Sequence, residues 1–240
     1  MTVGNPTDQN KTIHLDWKDL TALENGTYRD STITERLDRS AAPHLLVSPA
    51  RFHLRPGEQR QIEISVRSET HLPEKVEKRS HLVVHLTDNN GPLRKVDTGL
   101  HLDMARAVSV PVILRSEETH LLDNSVQIGD AKLRRLADGG LALDVLLERI
   151  GPHSVYGKLR VEGALFAGGK FQTLHEQDNI ALYTENENRT VSFPLGIQEL
   201  PESTLSVMFT GSGEYSGSIS AKRLFAVEAQ SKTNVKGLKD

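Results

Sequence analysis

The chain has no cysteine among its 240 residues. That excludes disulfides, thiolate nucleophiles, Cys-x-x-Cys redox chemistry and cysteine-ligated zinc. It does not fix the compartment, because an exported protein can lack disulfides. An excess of basic charge is also absent. The 29 Lys and Arg stand against 32 Asp and Glu, for a net charge of −3. The electrostatic footprint of a general nucleic-acid binder is therefore missing, and no nucleic-acid partner is expected. No segment reaches the ~18 consecutive apolar residues of a spanning helix, so no membrane insertion is expected. The stretch from Met1 to Lys11 is polar and shows neither the n-region nor the h-region of a signal peptide. Catalytic signatures are missing as well: there is no Gly-x-Ser-x-Gly, phosphate loop, His-Glu-x-x-His or Gly-x-Gly-x-x-Gly opening a helix. The chain does not read as an enzyme, and no cofactor is expected.

What the sequence does have is short-period alternation. Apolar residues make up 37% and charged residues 25%, enough apolar content to build cores. Alternating runs fall at 12–17, 45–47, 61–66, 80–87, 99–114, 141–147, 158–165, 180–183, 190–194, 205–209 and 218–227. Turn signals separate them, among them Glu24-Asn25-Gly26-Thr27, Arg55-Pro56-Gly57-Glu58, Asn89-Asn90-Gly91-Pro92 and Asp138-Gly139-Gly140. Helical periodicity is almost absent. Many short strands with frequent turns predict an all-β chain of two immunoglobulin-like β-sandwich domains of about 110 residues each. The charged patch Arg115-Ser116-Glu117-Glu118 places the boundary, giving domains over 1–115 and 116–228, with a flexible polar tail over 229–240. Ile13, Leu15, Trp17, Phe52, Ile62, Ile64 and Val66 are the expected core of the first domain, because alternation puts them on inward faces.

Few residues offer chemistry. His81 and His85 lie four apart on one strand and share a face with Val83, and His101 could sit across from them. A metal would need a third ligand and converging geometry; solvent-facing histidines are the plainer reading, and no metal is expected. Gly211-Ser212-Gly213 reads as a hairpin turn rather than a nucleophile.

Longer stretches are more specific. The run from His44 to Ile64, with Ser48-Pro49, Phe52, Leu54, Pro56-Gly57 and Gln59 in order, resembles the Ser-Pro-x-x-Phe-x-Leu-x-Pro-Gly stretch of periplasmic pilus-assembly chaperones. Arg79-Ser80-His81-Leu82 is similar to a strand of one bacterial branch of that superfamily. Val110-Pro111-Val112-Ile113-Leu114-Arg115 resembles the end of the first domain's last strand. Arg149, Gly151, Ser154, Tyr156 and Gly157 match that branch's Arg-x-Gly-x-x-Ser-x-Tyr-Gly turn. The four stretches run in the family's order. The resemblance implies two immunoglobulin-like sandwiches, a periplasmic location, and the binding of pilin or another exported β-subunit, with an outer-membrane usher as a further partner. It also places Thr2–Pro6 at the end of the family's second strand, so that the leader and the first one or two strands are not represented here.

In that family the chaperone lends a strand to a subunit that lacks one. Main-chain hydrogen bonds supply affinity, and alternate apolar side chains fill the subunit's groove. Between Gly99 and Leu114 the even positions read Leu100, Leu102, Met104, Arg106, Val108, Val110, Val112 and Leu114. The resemblance assigns Leu100, Leu102, Met104 and Val108 to the lending face. An ordinary core strand would alternate in the same way. One departure concerns the basic anchor that the family places four residues before the position of Arg115: it is Pro111 here, with neither charge nor N–H. Three functions remain open on these residues: a chaperone-like binding module, a structural or adhesive envelope sandwich that does not release subunits, and a metal-dependent hydrolase built on the histidines.

Overall fold

The computed structural model describes residues 1–73, 76–88, 106–116, 124–164, 166, 169–200, 202–227 and 235–237. The fold is all-β. The strands are β1 (Thr2–Gly4), β2 (Lys11–Lys18), β3 (Leu20–Ala22), β4 (Tyr28–Asp30), β5 (Leu45–Ser48), β6 (Arg51–Leu54), β7 (Gln59–Gln61), β8 (Glu63–Val66), β9 (Glu77–Asp88), β10 (Arg106–Arg115), β11 (Ser125–Arg135), β12 (Leu141–Ile150), β13 (Val155–Gly163), β14 (Gln172–Leu182), β15 (Asn188–Pro194), β16 (Ser203–Gly211), β17 (Ser220–Val227) and β18 (Val235–Gly237). They gather into two compact units. The first holds the described residues of Met1–Leu20, Asp30–Pro73 and Glu77–Ser116; the second holds those of Thr21–Arg29, Glu74–Val76 and Glu117–Asp240.

In the first unit a sheet of order β10-β9-β2-β6 is joined by the pairs β5-β8 and β1-β7. Alternation along β2 turns Ile13, Leu15 and Trp17 to one side, opposite Leu86, Val84 and Leu82 of β9. Ile13, Leu15, Phe52, Leu54, Ile62, Leu82 and Val84 form the buried core. Two expected core members lie at its margin, since Trp17 and Ile64 are only partly buried against it. A third lies outside it: Val66 is 50% exposed. Ile62, Ile64 and Val66 do share a face, but the chain leaves the core as it approaches the β5-β8 end where Val66 pairs with Leu45. Trp17→Ala is accordingly expected to cost about 2–3 kcal/mol in urea unfolding, below the ~3–5 kcal/mol of a fully enclosed ring.

Three of the stretches that carry the family resemblance serve as scaffolding. In the Pro-Gly turn, Gly57 takes φ +73° and the Glu58 amide donates to the Arg55 carbonyl at 3.0 Å. Buried Asn5 ties that turn down: its Nδ2 donates to the carbonyls of Gln9, Leu54 and Arg55. Ser80, also buried, donates through Oγ to Asp19 Oδ1 at 2.5 Å and accepts from the amides of Ala41 and Ala42, each at 2.9 Å. Near these amides lies α1 (Ile33–Arg39), a helix the alternation does not foreshadow. Its start is set by a capping box. Thr32 Oγ1 accepts from the Glu35 amide, and the Glu35 carboxylate accepts from the Thr32 amide.

In the second unit a three-stranded sheet, β11-β12-β15, faces a five-stranded one, β14-β13-β16-β17-β18. Leu143, Val145, Leu147 and Phe193 from one sheet and Leu159, Val161, Phe209 and Phe225 from the other share one core. The Arg-x-Gly-x-x-Ser-x-Tyr-Gly turn is built residue by residue. Arg149 donates to the carbonyls of Gly151, His153, Thr184 and Asn186. Gly151 takes φ +108°, where only glycine is unstrained. Ser154 Oγ accepts from the Thr184 amide, and the Ser154 carbonyl accepts from buried Tyr215 Oη at 2.7 Å.

Two segments bear on the domain limits. Thr21–Arg29 groups with the second unit. The Asn-Gly turn forms the expected β3-β4 hairpin, but its hydrogen bonds go to the 183–190 region. The Ala22 amide donates to Glu185 Oε1 at 2.8 Å, Asn186 Nδ2 donates to the Ala22 carbonyl at 2.9 Å, and the Thr190 amide donates to the Glu24 carbonyl at 2.7 Å. Within 229–240, read as a tail, Val235–Gly237 forms strand β18 and pairs with β17, because β17 offers an unpaired edge that a short extended segment can complete.

Candidate functional site

The candidate site is the strand β10. Its only strand neighbour among the described residues is β9, paired antiparallel from Arg106 opposite Leu86 to Arg115 opposite Glu77. Among those residues its other backbone edge faces no strand, and such an edge carries a row of N–H and C=O groups ready for another chain. The ladder puts the even positions on the core side of the sheet. Val112 faces Ser80, Val110 faces Leu82 and Val108 faces Val84. Leu82 and Val84 are buried, at 0% and 7% exposure. Their partners on β10 are not: Val112 and Val110 are half-buried, and Val108 is 58% exposed. An apolar stripe therefore starts in the core at Val112 and emerges from it by Val108. The opposite face, with Ala107, Ser109 and Pro111, is exposed and small or polar.

Of the four residues assigned from sequence, Val108 is the one whose place is seen. Leu100, Leu102 and Met104 lie outside the described residues, as does His101. Val110 is part of the stripe, and the sequence reading did not include it; the alternation that marks Val108 also marks Val110.

At the far end of the strand Arg115 is committed to structure. Its Nε donates to Glu77 Oε2 at 2.8 Å, with the two side chains 12% and 2% exposed. Pro111 sits on the exposed face, where its missing N–H is tolerated on an edge strand. Neither residue offers a free cation beside the stripe.

The histidines divide. His81 and His85 do share a face of β9, but His81 is 2% exposed rather than solvent-facing. Its neighbours across the ladder, Lys18 and Pro111, bring main chain close on both sides. His85 joins a surface group the sequence reading did not assemble. Across the β2-β9 pair it stands opposite His14, and Asp16 Oδ2 lies 3.0 Å from His14 Nδ1 and 3.8 Å from His85 Nε2. The signal available for it was the period-two spacing of His14 and Asp16. Among the described residues no group of three His, Cys, Asp or Glu is arranged to hold a metal ion, and no helix is long and apolar enough to cross a membrane.

No protein-family model and no curated protein matches the chain. Solved structures do. It is similar to the CupB2 chaperone of Pseudomonas aeruginosa, at 10% identity and a TM-score of 0.44, over 95% of this chain and 91% of that one. It is similar to the E. coli chaperone DraB, at 14% identity and a TM-score of 0.40, over 95% and 88%. It is also similar to a structure of the CsuC-CsuE chaperone–tip subunit pre-assembly complex of Acinetobacter baumannii, at 12% identity and a TM-score of 0.36, over 80% and 79%. Likeness at this level leaves activity to be argued from the site.

Proposed function

We propose that the protein is a periplasmic chaperone-like module that binds a pilin or another exported β-subunit by lending it β10, with an outer-membrane usher as the receiving partner. The observation that carries this reading is Val108. It is a valine on the core-side face of a sheet, 58% exposed, on a strand whose outer edge meets no other strand among the described residues. Strand addition needs those two properties together, an open backbone edge for hydrogen bonds and a row of apolar side chains for a groove. The four stretches that resemble pilus-assembly chaperones support the same reading. Leu100, Leu102 and Met104 extend the even positions in sequence, and we assign them to the same stripe.

The test uses the full chain and a β-subunit that lacks its final strand, with affinity measured by calorimetry. Val108→Glu places an unpaired charge in a dry groove and is expected to weaken binding about 10- to 30-fold, roughly 1.4–2 kcal/mol. Met104→Glu is expected to do the same. Ser109→Glu, on the opposite face, is expected to change affinity less than about threefold. Equal affinities for all three variants would reject strand lending and favour a structural envelope sandwich.

A further inference from the structure

We propose that Asn25-Gly26 is a self-modifying site: the side-chain amide of Asn25 is lost when the β3-β4 hairpin leaves its place in the second unit, and the isoaspartyl product does not dock again. Glycine leaves its own nitrogen unobstructed, because it has no side chain. Backbone attack on a side-chain amide is therefore easiest at Asn-Gly. In the first step the Gly26 nitrogen gives its proton to hydroxide and bonds to Asn25 Cγ. The bond from Cγ to the carboxamide nitrogen breaks, and that nitrogen takes a proton from water and leaves as ammonia. A cyclic succinimide remains. Water then opens it at either carbonyl, giving an aspartyl or an isoaspartyl link to Gly26. The sum is one water consumed and one ammonia released.

The docked hairpin supplies half of this machinery and withholds the rest. Asn25 is exposed, so water and hydroxide reach it. Its Oδ1 accepts from the Thr27 amide at 3.0 Å and from the Thr27 hydroxyl at 2.7 Å. Donors on a carbonyl oxygen stabilise the charge that develops there during attack, so the carboxamide is primed. The nucleophile is held back. The Gly26 N–H donates to the Leu23 carbonyl at 2.8 Å. Gly26 also has little room to turn, because Arg189 is packed against it: a Cβ built on Gly26 would meet Nη2 at 2.6 Å and Nε at 3.1 Å. Arg189 is itself fixed, with Nη1 donating to the Ala181 carbonyl. On either side of the turn the hairpin is anchored by Glu185, Asn186 and the Thr190 amide. The turn reacts once these anchors let go. An isoaspartyl link adds a carbon to the main chain just before Gly26, and Gly26 then no longer fits beside Arg189. Each opening that ends in reaction is thus recorded permanently.

The experiment ages the full chain in mildly alkaline buffer, native and in guanidinium chloride, and follows amide loss by peptide mapping with mass spectrometry. The sequence holds a second Asn-Gly at Asn90-Gly91, which is the reference within each sample. Loss at Asn25 is expected to be at least about tenfold slower in the native chain than in denaturant. The double variant Glu185→Ala with Asn186→Ala removes two anchors and is expected to raise the native rate at Asn25 about fivefold or more, with the rate at Asn90 unchanged. Hydrogen exchange at the Thr190 amide, which donates to the Glu24 carbonyl, reports docking. It is expected to quicken in the double variant and in parent chains that carry the isoaspartyl link. The proposal fails if Asn25 reacts at least as fast in the native chain as in denaturant. It fails if the double variant quickens Thr190 exchange but not the reaction at Asn25, or if isoaspartyl chains keep Thr190 protected. Should the double variant not fold, the native-against-denatured comparison and exchange in the aged parent decide.

Discussion

Glu77→Ala is expected to destabilise the first unit by about 3–5 kcal/mol. Glu77 and Arg115 meet at the last rung of the β9-β10 ladder, at 2.8 Å, with the carboxylate 2% and the guanidinium 12% exposed. Two charges so far from water are tolerated because each neutralises the other. Removing one takes from its desolvated partner the opposite charge it faces at 2.8 Å, which costs more than the intact pair contributes. A urea titration read by fluorescence measures this directly, since Trp17 is the only tryptophan and belongs to the first unit. The double variant Glu77→Leu with Arg115→Met should recover most of the loss, because a well-packed apolar pair replaces the ionic one at little net cost. A loss below about 1 kcal/mol for Glu77→Ala would show that water reaches the pair. The pair also bears on the proposed site. It pins β10 to β9 in one register, and a slip of one residue would move Val108 and Val110 to the face that Ser109 now occupies.

Gly157→Ala is expected to cost the second unit at least about 3 kcal/mol. Gly157 lies in β13 between two strands, opposite Ile180 of β14 and Gly211 of β16. A Cβ there would come to 2.3 Å from the Thr210 carbonyl oxygen and 2.6 Å from Cζ of Phe209. The carbonyl belongs to the adjoining backbone and Phe209 is fully buried, so neither can move aside cheaply. Gly139→Ala is the informative control. A Cβ there meets nothing within 4 Å, but the residue sits at φ +85°, so its expected cost is the backbone preference alone, about 1–2 kcal/mol. Thermal unfolding followed by far-ultraviolet dichroism separates the two. Equal losses would mean that the neighbouring strands give way and that crowding is not what keeps glycine at 157.

The sequence reveals most where a feature is local. Ile13 and Leu15 announce β2 because a half-buried strand alternates with period two, and Gly26 and Gly57 announce turns because few other residues take their φ. β11 escapes the alternation for an equally local reason. Its buried apolar side chains run Val126, Ile128, then Ala131 and Leu133, and the register shift between Ile128 and Ala131 breaks the period in mid-strand. Helix α1 buries none of its residues; Ile33 and Leu37 stand four apart but are both exposed, too few positions to set a period, and the Thr32–Glu35 box is its clearest local mark. The site is harder to read. A lending strand and a core strand alternate alike, and what separates them, the exposure of Val108 against the burial of Val84, depends on which strands stack above the sheet. Burial of His81 and the packing of Gly26 against Arg189 are likewise set by neighbours distant in sequence.

The β3-β4 hairpin ties the order of synthesis to the order of folding. Its hydrogen bonds to the rest of the second unit span 155, 163 and 164 positions. On a ribosome the hairpin is made before its partners, which follow it by 155 to 164 positions. Closing loops of that length is slow compared with pairing neighbouring strands. Residues 21–29 must therefore spend the intervening time extended or in provisional contacts, with Leu23 and Tyr28 accessible to other chains. The second unit can reach its final form only after residues 21–29 return to it.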